Sequence, residues 1–475
     1  MPSLLILVPL LGIIILNLMF KIAMRKIAFR FALALFSLQL LIAVFHRGFY
    51  NVQDQFSSFF TVNLSVDSLT FVMLVCIEIV CLASLFVARY TLTDVNQRFN
   101  FINLLILSSI GMNGIVMTRD IFSLYVFLEI AAVSSFVLIA FRRGRAALEG
   151  AFKYIILSAV ATILMLTAIA LLLLASGDTS FAAVHQAIVQ SQNSRMILFA
   201  VGIFVSGLFI KAGLVPFHGW LPDAYFAAPA PAAVLLAGIV TKVCGVYTLI
   251  RLVTSVFGFN AHLNHILLFV GAISVLIGAL AALGQKDLKR MLAYSSISQV
   301  GYIILGLGSG TGLGLAGAVF HFFNHAIFKS LLFVNAAAVG EELVTTDMEK
   351  MGGLSSKMPI TAATSVAGML SAAGVPPFAG FWSKLIIIMA LWQSGNFMYA
   401  VIAVLAGVLT LAYLLMMQRK VFFGKLKEGL ENIKEANLGL SLVSIILAAI
   451  TIGAGIFFPV VFTNLFEPVR GVLLR

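Results

Sequence analysis

The chain has little charge and little cysteine. Of its 475 residues only 10% are charged, against about 25% in a typical soluble domain. The three cysteines, Cys76, Cys81 and Cys244, fall in apolar stretches without a C-x-x-C spacing, so the sequence indicates neither an iron–sulfur cluster nor a structural zinc site. No P-loop and no G-x-G-x-x-G motif after a strand occurs, and we therefore expect no nucleotide site.

The chain is instead rich in apolar residues. Hydrophobic residues make up 61% of the chain, and the mean hydropathy is +1.10. A helix that crosses a membrane needs roughly 20 apolar residues, and the polar and Gly/Pro breaks divide the chain into about fourteen such stretches. Strands of a β-barrel would be shorter and would alternate in polarity. The sequence therefore predicts an all-α polytopic membrane protein.

The predicted spans have definite positions along the chain. They lie near 3–20, 27–45, 67–88, 101–118, 121–140, 150–175, 196–214, 231–255, 263–283, 291–308, 312–339, 359–394, 398–418 and 438–460. The first stretch lacks a basic start and a small-residue cleavage site, so we interpret it as a span and not as a cleavable signal peptide. Residues 46–66 form a polar and aromatic loop in which a short hairpin fits.

The net charge of +12 could indicate a nucleic-acid partner, so the positions of the basic residues decide its meaning. Nineteen of the thirty Lys and Arg residues lie at connections after odd-numbered spans, six lie on the opposite side, and five lie within spans. By the positive-inside rule, the odd connections are cytoplasmic and both termini lie outside. The basic residues therefore orient the protein in a membrane, and we expect no nucleic-acid partner.

Five lysines interrupt stretches that are otherwise apolar enough to cross a membrane. They are Lys153, Lys211, Lys242, Lys329 and Lys384. A charged side chain at mid-bilayer costs at least a few kcal/mol and commonly marks an ion or proton pathway. Ion translocation is therefore the first hypothesis for this chain.

Three acidic residues add to this set. Glu129 lies among small residues in the fifth span, where a carboxyl group favours its neutral form unless a cation is near. That property suits a proton carrier, and a fixed structural ion pair is the alternative. Glu78, in the third span, needs a partner or a wet cavity and has either a functional or a structural role. Glu149 lies four residues before Lys153 and could pair with it, although Lys153 could also extend towards the basic loop.

Two spans carry a lysine beside a break. Lys211 precedes Gly213 and Pro216, and Lys384 follows Gly374 and two prolines. Broken helices at membrane depth occur where the backbone lines a cavity. The segments KAGLVPFHGW and GVPPFAGFWSK are alike and lie five spans apart, so spans 4–8 and 9–13 would form two five-helix units of opposite orientation. Such inverted repeats are typical of secondary transporters.

The predicted eleventh span contains three titratable residues at a spacing of four: His321, His325 and Lys329. This spacing places them on one helix face, about 6 Å apart along the axis. Histidine titrates near neutral pH, so the face suits a proton relay. Two alternatives remain open at this point. The H-x-x-x-H pair could bind a metal, although no third ligand is evident nearby; haem binding would need histidines from facing helices.

Six long segments carry a family resemblance. They are VFLEI, KAGLVPFHGWLPDA, LLAGIVTK, DLKRMLAYSSISQVGY, HFFNHAIFKSLLF and GVPPFAGFWSK. These segments resemble the proton-translocating antiporter-like subunits of respiratory complex I, membrane-bound hydrogenases and Mrp-type cation/proton antiporters. The resemblance covers about residues 65 to 425. It implies fourteen helices, inverted repeats, broken seventh and twelfth helices, and a location in the prokaryotic cell membrane.

The resemblance also implies roles for individual residues. Those implied for ion translocation, from the first half-channel through the centre to the second, are Glu129, Lys211, Lys242, His321, His325 and Lys384. Lys153 and Lys329 match basic positions of the sixth and eleventh helices. Glu78 matches no motif position, and some family members have Glu in place of Lys384. We divide the chain into residues 1–100 with spans 1–3, 101–255 with spans 4–8, 256–424 with spans 9–13, and 425–475 with a cytoplasmic loop and span 14.

Three further segments bear on the subfamily: KSLLFVNAAAVG, DMEKMGGLSSKMP and QRKVFFGKLKE. They look most like hydrogenase-associated subunits and the D-type subunits of Mrp antiporters, and a subunit of complex I remains a possible assignment. We expect a proton-translocating subunit of a redox-driven complex, or alternatively of a Na⁺/H⁺ antiporter. In the first case the iron–sulfur or nickel–iron centres would lie in partner subunits, because this chain has no redox centre of its own. A self-sufficient antiporter and a scaffold without transport are further alternatives.

Overall fold

The computed structural model of the protein describes residues 2–18, 22–45, 52–56, 62–190 and 194–472. Within these residues, twelve helices are long and apolar enough to cross a membrane. The helix Leu4–Leu18 and the two halves of a broken span supply the counterparts of the remaining predicted spans. The prediction of an all-α polytopic membrane protein is confirmed.

We number the spans in chain order. Spans 1 to 6 are Leu4–Leu18, Ile22–Phe45, Ser68–Thr91, Val95–Met117, Ile121–Ile139 and Arg145–Ser176. Span 7 consists of Arg195–Ala212 and Trp220–Ala227, and span 12 of Pro359–Ala373 and Ala379–Gln393. Spans 8 to 11, 13 and 14 are Ala230–Phe257, Ala261–Leu283, Leu288–Gly308, Gly312–Leu343, Phe397–Val421 and Leu438–Ile456.

Short polar side chains begin several spans, and glycines end the first halves of the broken ones. Four aspartates accept a hydrogen bond from a backbone N–H of the first turn that follows them: Asp67, Asp94, Asp120 and Asp287. Such caps satisfy N–H groups that the helix itself leaves without a partner. Gly213 and Gly374 adopt the left-handed conformation with φ of 66° and 85°, which glycine accepts readily. Both predicted breaks are therefore present.

Smaller elements lie outside the spans. The strands Val52–Phe56 and Val62–Val66 pair antiparallel, as the hairpin prediction for this loop requires. A ten-residue helix, Phe181–Gln190, lies between spans 6 and 7, and it was not predicted. After span 14 the chain stays helical through Glu467–Val472, which was also not predicted.

Spans 8, 10 and 11 form the centre of the molecule. The most apolar window of span 8 is wholly buried, and those of spans 10 and 11 are 94% buried. The corresponding windows of spans 6 and 13 are only 33% and 39% buried, so these spans lie at the lipid-facing periphery. Any charged side chain of the central spans therefore depends on protein groups or internal water for its partners.

Each of the two predicted five-helix units contains the same local contact between an aspartate and a threonine. Asp120, before span 5, accepts a hydrogen bond from Thr179, and Asp287, before span 10, accepts one from Thr346. Each threonine follows its aspartate by 59 residues. The residue after each aspartate donates its N–H to the carbonyl of the same threonine, at 2.9 and 2.8 Å. These matching contacts support two related units, whereas their inversion and the domain boundaries stay predictions.

Candidate functional site

Spans 5 and 7 bring together the first two predicted site residues. Lys211 Nζ, in the last turn before the break of span 7, lies 3.2 Å from Glu129 Oε1 of span 5. Span 6 contributes two hydroxyls one turn apart: Ser158 accepts from Lys211 at 2.6 Å, and Thr162 donates to Glu129 at 2.7 Å. The lysine side chain is 1% exposed and the glutamate 28%. A change in the charge of either group therefore acts directly on the other.

The break in span 7 fixes the position of Lys211. Trp220, at the start of the second half, donates its indole N–H to the carbonyl of Ile210 at 3.1 Å. The same carbonyl also accepts from the cap N–H of Gly213 at 3.1 Å, so two donors hold the end of this half-helix. A Cβ atom on Gly245 of span 8 would lie 2.4 Å from the backbone of Ala212. Glycine at that position therefore allows span 8 to touch the chain directly beside the lysine.

Lys242 lies at the centre of the protein. It is fully buried in span 8 and donates to the carbonyl of Ala237. The span winds as a π-helix over Leu236–Val240 and over Lys242–Tyr247. Such widened turns occur frequently at functional sites, and freed carbonyls at membrane depth can hold a cation. Span 8 thus provides both a buried ammonium group and irregular backbone beside it.

His321 and His325 follow on span 11. Their rings are nearly parallel, with an angle of 9° and a centroid distance of 6.3 Å, so both lie on one face as their spacing predicts. Within the described residues, Nε2 of His321 and both ring nitrogens of His325 have no hydrogen-bond partner. Three lysines are close enough to act electrostatically on His325: Lys242, Lys329 and Lys384. The described chain brings no third ligand to this pair.

Lys384 ends the array beside the second break. Its ammonium group donates to the carbonyls of Ala372 and Ala373 at 2.7 and 3.4 Å. These carbonyls end the first half of span 12, where the helix dipole is negative. The ammonium nitrogen also lies 4.5 Å from the centre of the Tyr302 ring, an arrangement that favours the charged form. The ring of Tyr302 is in turn 5.7 Å from that of His321.

Hydrogen bonds tie His321 and Lys329 to neighbouring polar groups and not to other members of this array. His321 Nδ1 lies 2.9 Å from the hydroxyl of Ser383, the residue before Lys384. Lys329 instead donates to the carbonyl of Leu292 at 3.0 Å and to the Ser295 hydroxyl. Water molecules can bridge polar groups that are too far apart for a direct bond. Proton movement along the complete array therefore requires internal water between its members.

Lys153 lies outside this array of buried titratable residues. Span 6 already begins at Arg145, so this lysine is only two turns from the end of its helix, and its side chain is 43% exposed. It pairs with Glu149 at 2.8 Å, as its spacing predicts, and with Asp223 at 2.6 Å. Asp223 also pairs with Arg290 at 2.7 Å. Four of the five lysines are thus buried inside the protein, whereas Lys153 is half-exposed near the start of its span.

A second ionic cluster, which sequence reasoning did not find, joins the ends of spans 3, 4 and 8. Arg251 binds both oxygens of Asp67 at 2.6 and 2.8 Å, and Arg119 reaches Asp67 at 3.2 Å. Burial alone would raise the pKa of Asp67, but Arg251 and Arg119 hold it well below its usual range. The only signal in the sequence was that isolated charged residues stood at span ends.

The family is decided by residues 118–410, which match the NADH:quinone oxidoreductase/Mrp antiporter transmembrane family. The protein belongs to this family. The matched segment is more than half of the chain and contains the Glu129–Lys211 pair and the residues through Lys384. The resemblance that the sequence motifs indicate is therefore confirmed, and the chain is an antiporter-like membrane subunit.

Relatives of this antiporter-like subunit occur in more than one kind of complex. The D-type subunit of the Na⁺/H⁺ antiporter of Alkalihalophilus pseudofirmus is 31% identical over 423 residues, which are 88% of this chain and 86% of the relative. The N-type subunit of the NADH-quinone oxidoreductase of Desulforudis audaxviator is 35% identical over 356 residues, which are 74% of this chain and 71% of the relative. These two similarities do not favour a redox-driven complex over an antiporter.

One solved structure extends the comparison over the whole antiporter-like chain. It is that of the membrane-bound sulfane sulfur reductase, an archaeal respiratory membrane complex. The matching chain has a TM-score of 0.90 and 29% identity, and the match covers 100% of this chain and 98% of the other. The relatives thus belong to multi-subunit membrane assemblies, whereas the roles of the individual site residues stay predictions.

Proposed function

We propose that this antiporter-like subunit moves protons across the membrane as part of a multi-subunit assembly. The observation that carries the proposal is the ion pair of buried Lys211 with half-buried Glu129 beside a broken span. Further buried titratable side chains continue from it to the second break: Lys242, His325, His321 and Lys384. Buried ionisable groups are costly at membrane depth, and a series of them is typical of proton pathways.

The proposed mechanism is electrostatic. When a charge changes at one end of the subunit, the attraction between Glu129 and Lys211 changes with it. Lys211 then releases a proton from its ammonium form or takes one up in its neutral amine form, while Ser158 and Thr162 keep both side chains in place. Internal water passes the proton to Lys242, and the proton moves through the unpartnered histidine nitrogens to Lys384. Lys153 and Lys329 support this pathway through their charge.

Two sources of energy are consistent with the relatives. In a hydrogenase-like or complex I-like assembly, partner subunits would carry the iron–sulfur or nickel–iron centres and drive this subunit. In an Mrp-type assembly, an ion gradient would drive Na⁺/H⁺ exchange. Sodium is a second candidate ion because carboxylates and the carbonyls of irregular backbone can also hold it, and span 8 and the two broken spans contain such backbone.

The proposed orientation follows from the basic residues. Nineteen of the thirty Lys and Arg residues mark the connections after odd-numbered spans, which places these connections in the cytoplasm and both termini outside the cell membrane. A cysteine introduced at Lys434, in the loop before span 14, should then react with an impermeant thiol reagent only from the cytoplasmic side. Labelling of that cysteine in intact cells would contradict this orientation.

The test of translocation compares two alanine variants in the complete assembly. The assembly is reconstituted into liposomes and ion uptake is followed with a pH-sensitive dye. Lys211→Ala should lower proton uptake by about a hundredfold, because the pathway loses a proton carrier. Lys434→Ala removes a lysine that is exposed outside the membrane and should leave uptake unchanged. Normal uptake by Lys211→Ala would instead favour a scaffold without transport, and exchange by the isolated chain would favour a self-sufficient antiporter.

The assembly itself is identified by its other subunits. Purification in mild detergent followed by mass spectrometry distinguishes the two sources of energy. Hydrogenase or quinone-reductase subunits with iron–sulfur centres would establish a redox-driven complex. Small membrane subunits alone would establish a gradient-driven antiporter.

A further inference from the structure

The first four spans contain a polar cluster apart from the proposed pathway. Gln39 of span 2, Glu78 of span 3 and Asn113 of span 4 are each 0% exposed. Asn113 Nδ2 donates to Glu78 Oε1 at 3.2 Å and to the carbonyl of Leu5, in span 1, at 3.1 Å. Gln39 Nε2 donates to the same carbonyl at 3.1 Å. The four spans thus meet at one continuous group of polar atoms.

The atoms without partners in this cluster are all oxygens. They are Glu78 Oε2, Asn113 Oδ1 and Gln39 Oε1, and none of them has a hydrogen-bond partner in the described part of the chain. No Lys, Arg or His side chain among the described residues forms an ion pair with Glu78. A buried carboxylate is unfavourable without a compensating charge. The cluster therefore lacks one positive charge or one proton.

We propose that this cluster is a binding site for a small monovalent cation, either H⁺ or Na⁺. The Glu78 carboxyl group holds the cation, and the amide oxygens of Asn113 and Gln39 and the Leu5 carbonyl complete the site. A bound proton would turn Glu78 into a donor to one of the unpartnered oxygens. A bound Na⁺ would use the same oxygens as ligands, and the amides can turn over to present them.

Span 3 separates this site from the proposed pathway. On its opposite face, Ser84 donates to the carbonyl of Pro231 in span 8 at 2.9 Å, and Val80 packs against Gly238. The hydrogen-bonding groups of the cluster other than Glu78 are neutral: a carbonyl from span 1 and amides from spans 2 and 4. On span 3 itself the nearby titratable group is the thiol of Cys81. The site is thus a second cation site, and the proposal does not depend on the proposed function.

The test measures the protonation of Glu78 by infrared difference spectroscopy. The complete assembly is held in a sodium-free choline buffer at pH 7, and the spectrum of Glu78→Gln is subtracted from that of the wild type. A carboxylic-acid carbonyl band should be lost in the variant. Glu467→Gln is the matched control, because this exposed carboxylate pairs with Arg470 and should contribute no such band. The readout needs no transport, so it fails or succeeds separately from the proposed pathway.

The response of the Glu78 band to added sodium distinguishes binding of H⁺ from binding of Na⁺. If added NaCl removes the Glu78 band with saturation, Na⁺ displaces the proton; if the band is unaffected, the site takes a proton alone. Both results support the proposal. If no band is lost in choline buffer, Glu78 is ionised without a bound cation and the proposal is wrong. Should Glu78→Gln not assemble, Asn113→Leu retains the carboxyl group and should shift the band, because it removes the amide donor to Oε1.

Discussion

Span 8 meets the first half of span 7 at Gly245, and the closeness of this contact predicts the effect of adding one methyl group. An ideal Cβ atom at this position lies 2.4 Å from N and Cα of Ala212, where ordinary contact is 3.4–4 Å. The substitution Gly245→Ala must therefore move the two backbones apart by about 1 Å. Ala212 follows Lys211, whose ammonium group is 3.2 Å from Glu129. A movement of that size takes the pair beyond hydrogen-bonding distance.

The assay for this variant is proton uptake by the complete assembly in liposomes, together with a thermal melt. We expect uptake to fall by about tenfold to a hundredfold, because small displacements of reacting groups are costly. Overpacking should also lower the free energy of unfolding by about 1–3 kcal/mol. Gly202→Ala is the matched control on span 7: no atom lies within 4 Å of its Cβ position, so uptake should persist. Full uptake by a normally assembled Gly245→Ala variant would refute the reasoning.

Three further variants test other contacts. Ser158→Ala removes the 2.6 Å acceptor of the lysine in broken span 7; proton uptake should fall about fivefold or more, because about 1–3 kcal/mol of hydrogen bonding is lost. Tyr302→Leu removes a ring that stabilises charged Lys384 by about 0.5–2 kcal/mol, so uptake should fall, whereas Tyr302→Phe should retain it. Asp67→Asn leaves buried Arg251 without its counter-charge; a thermal melt should show a loss of about 3 kcal/mol.

The spans could be predicted because lipid leaves few choices to the backbone. In a bilayer every N–H and C=O group needs an internal partner, so a long apolar stretch forms a helix. The breaks could also be predicted, because Gly213 and Gly374 stand beside prolines within such stretches. The stack of His321 and His325 followed from helical spacing alone. Each of these features is encoded within one continuous segment.

Other features depend on contacts between distant segments. Arg251 and Asp67 are 184 residues apart in the chain, and neither neighbourhood indicates the other. The other members of the polar cluster around Glu78 come from three different spans, so the sequence alone left its role open. The sequence left open whether Lys153 extends towards the basic loop. Its helix begins at Arg145, before the predicted start near residue 150, and the pairing of Lys153 with Asp223 joins residues 70 apart in the chain.

The full enclosure of span 8 has a consequence for biogenesis. The span carries Lys242 near its middle and Arg251 in its last two turns, and a charge costs about 2.5–3.5 kcal/mol at the centre of an inserting helix and less towards its end. Asp67, the counter-charge of Arg251, precedes span 3 and is synthesised earlier. The acceptor of Lys242, the carbonyl of Ala237, lies within span 8 itself. The nascent chain therefore already contains both compensating groups when span 8 leaves the translocon, and we expect early docking against span 3 to help retain this span in the bilayer.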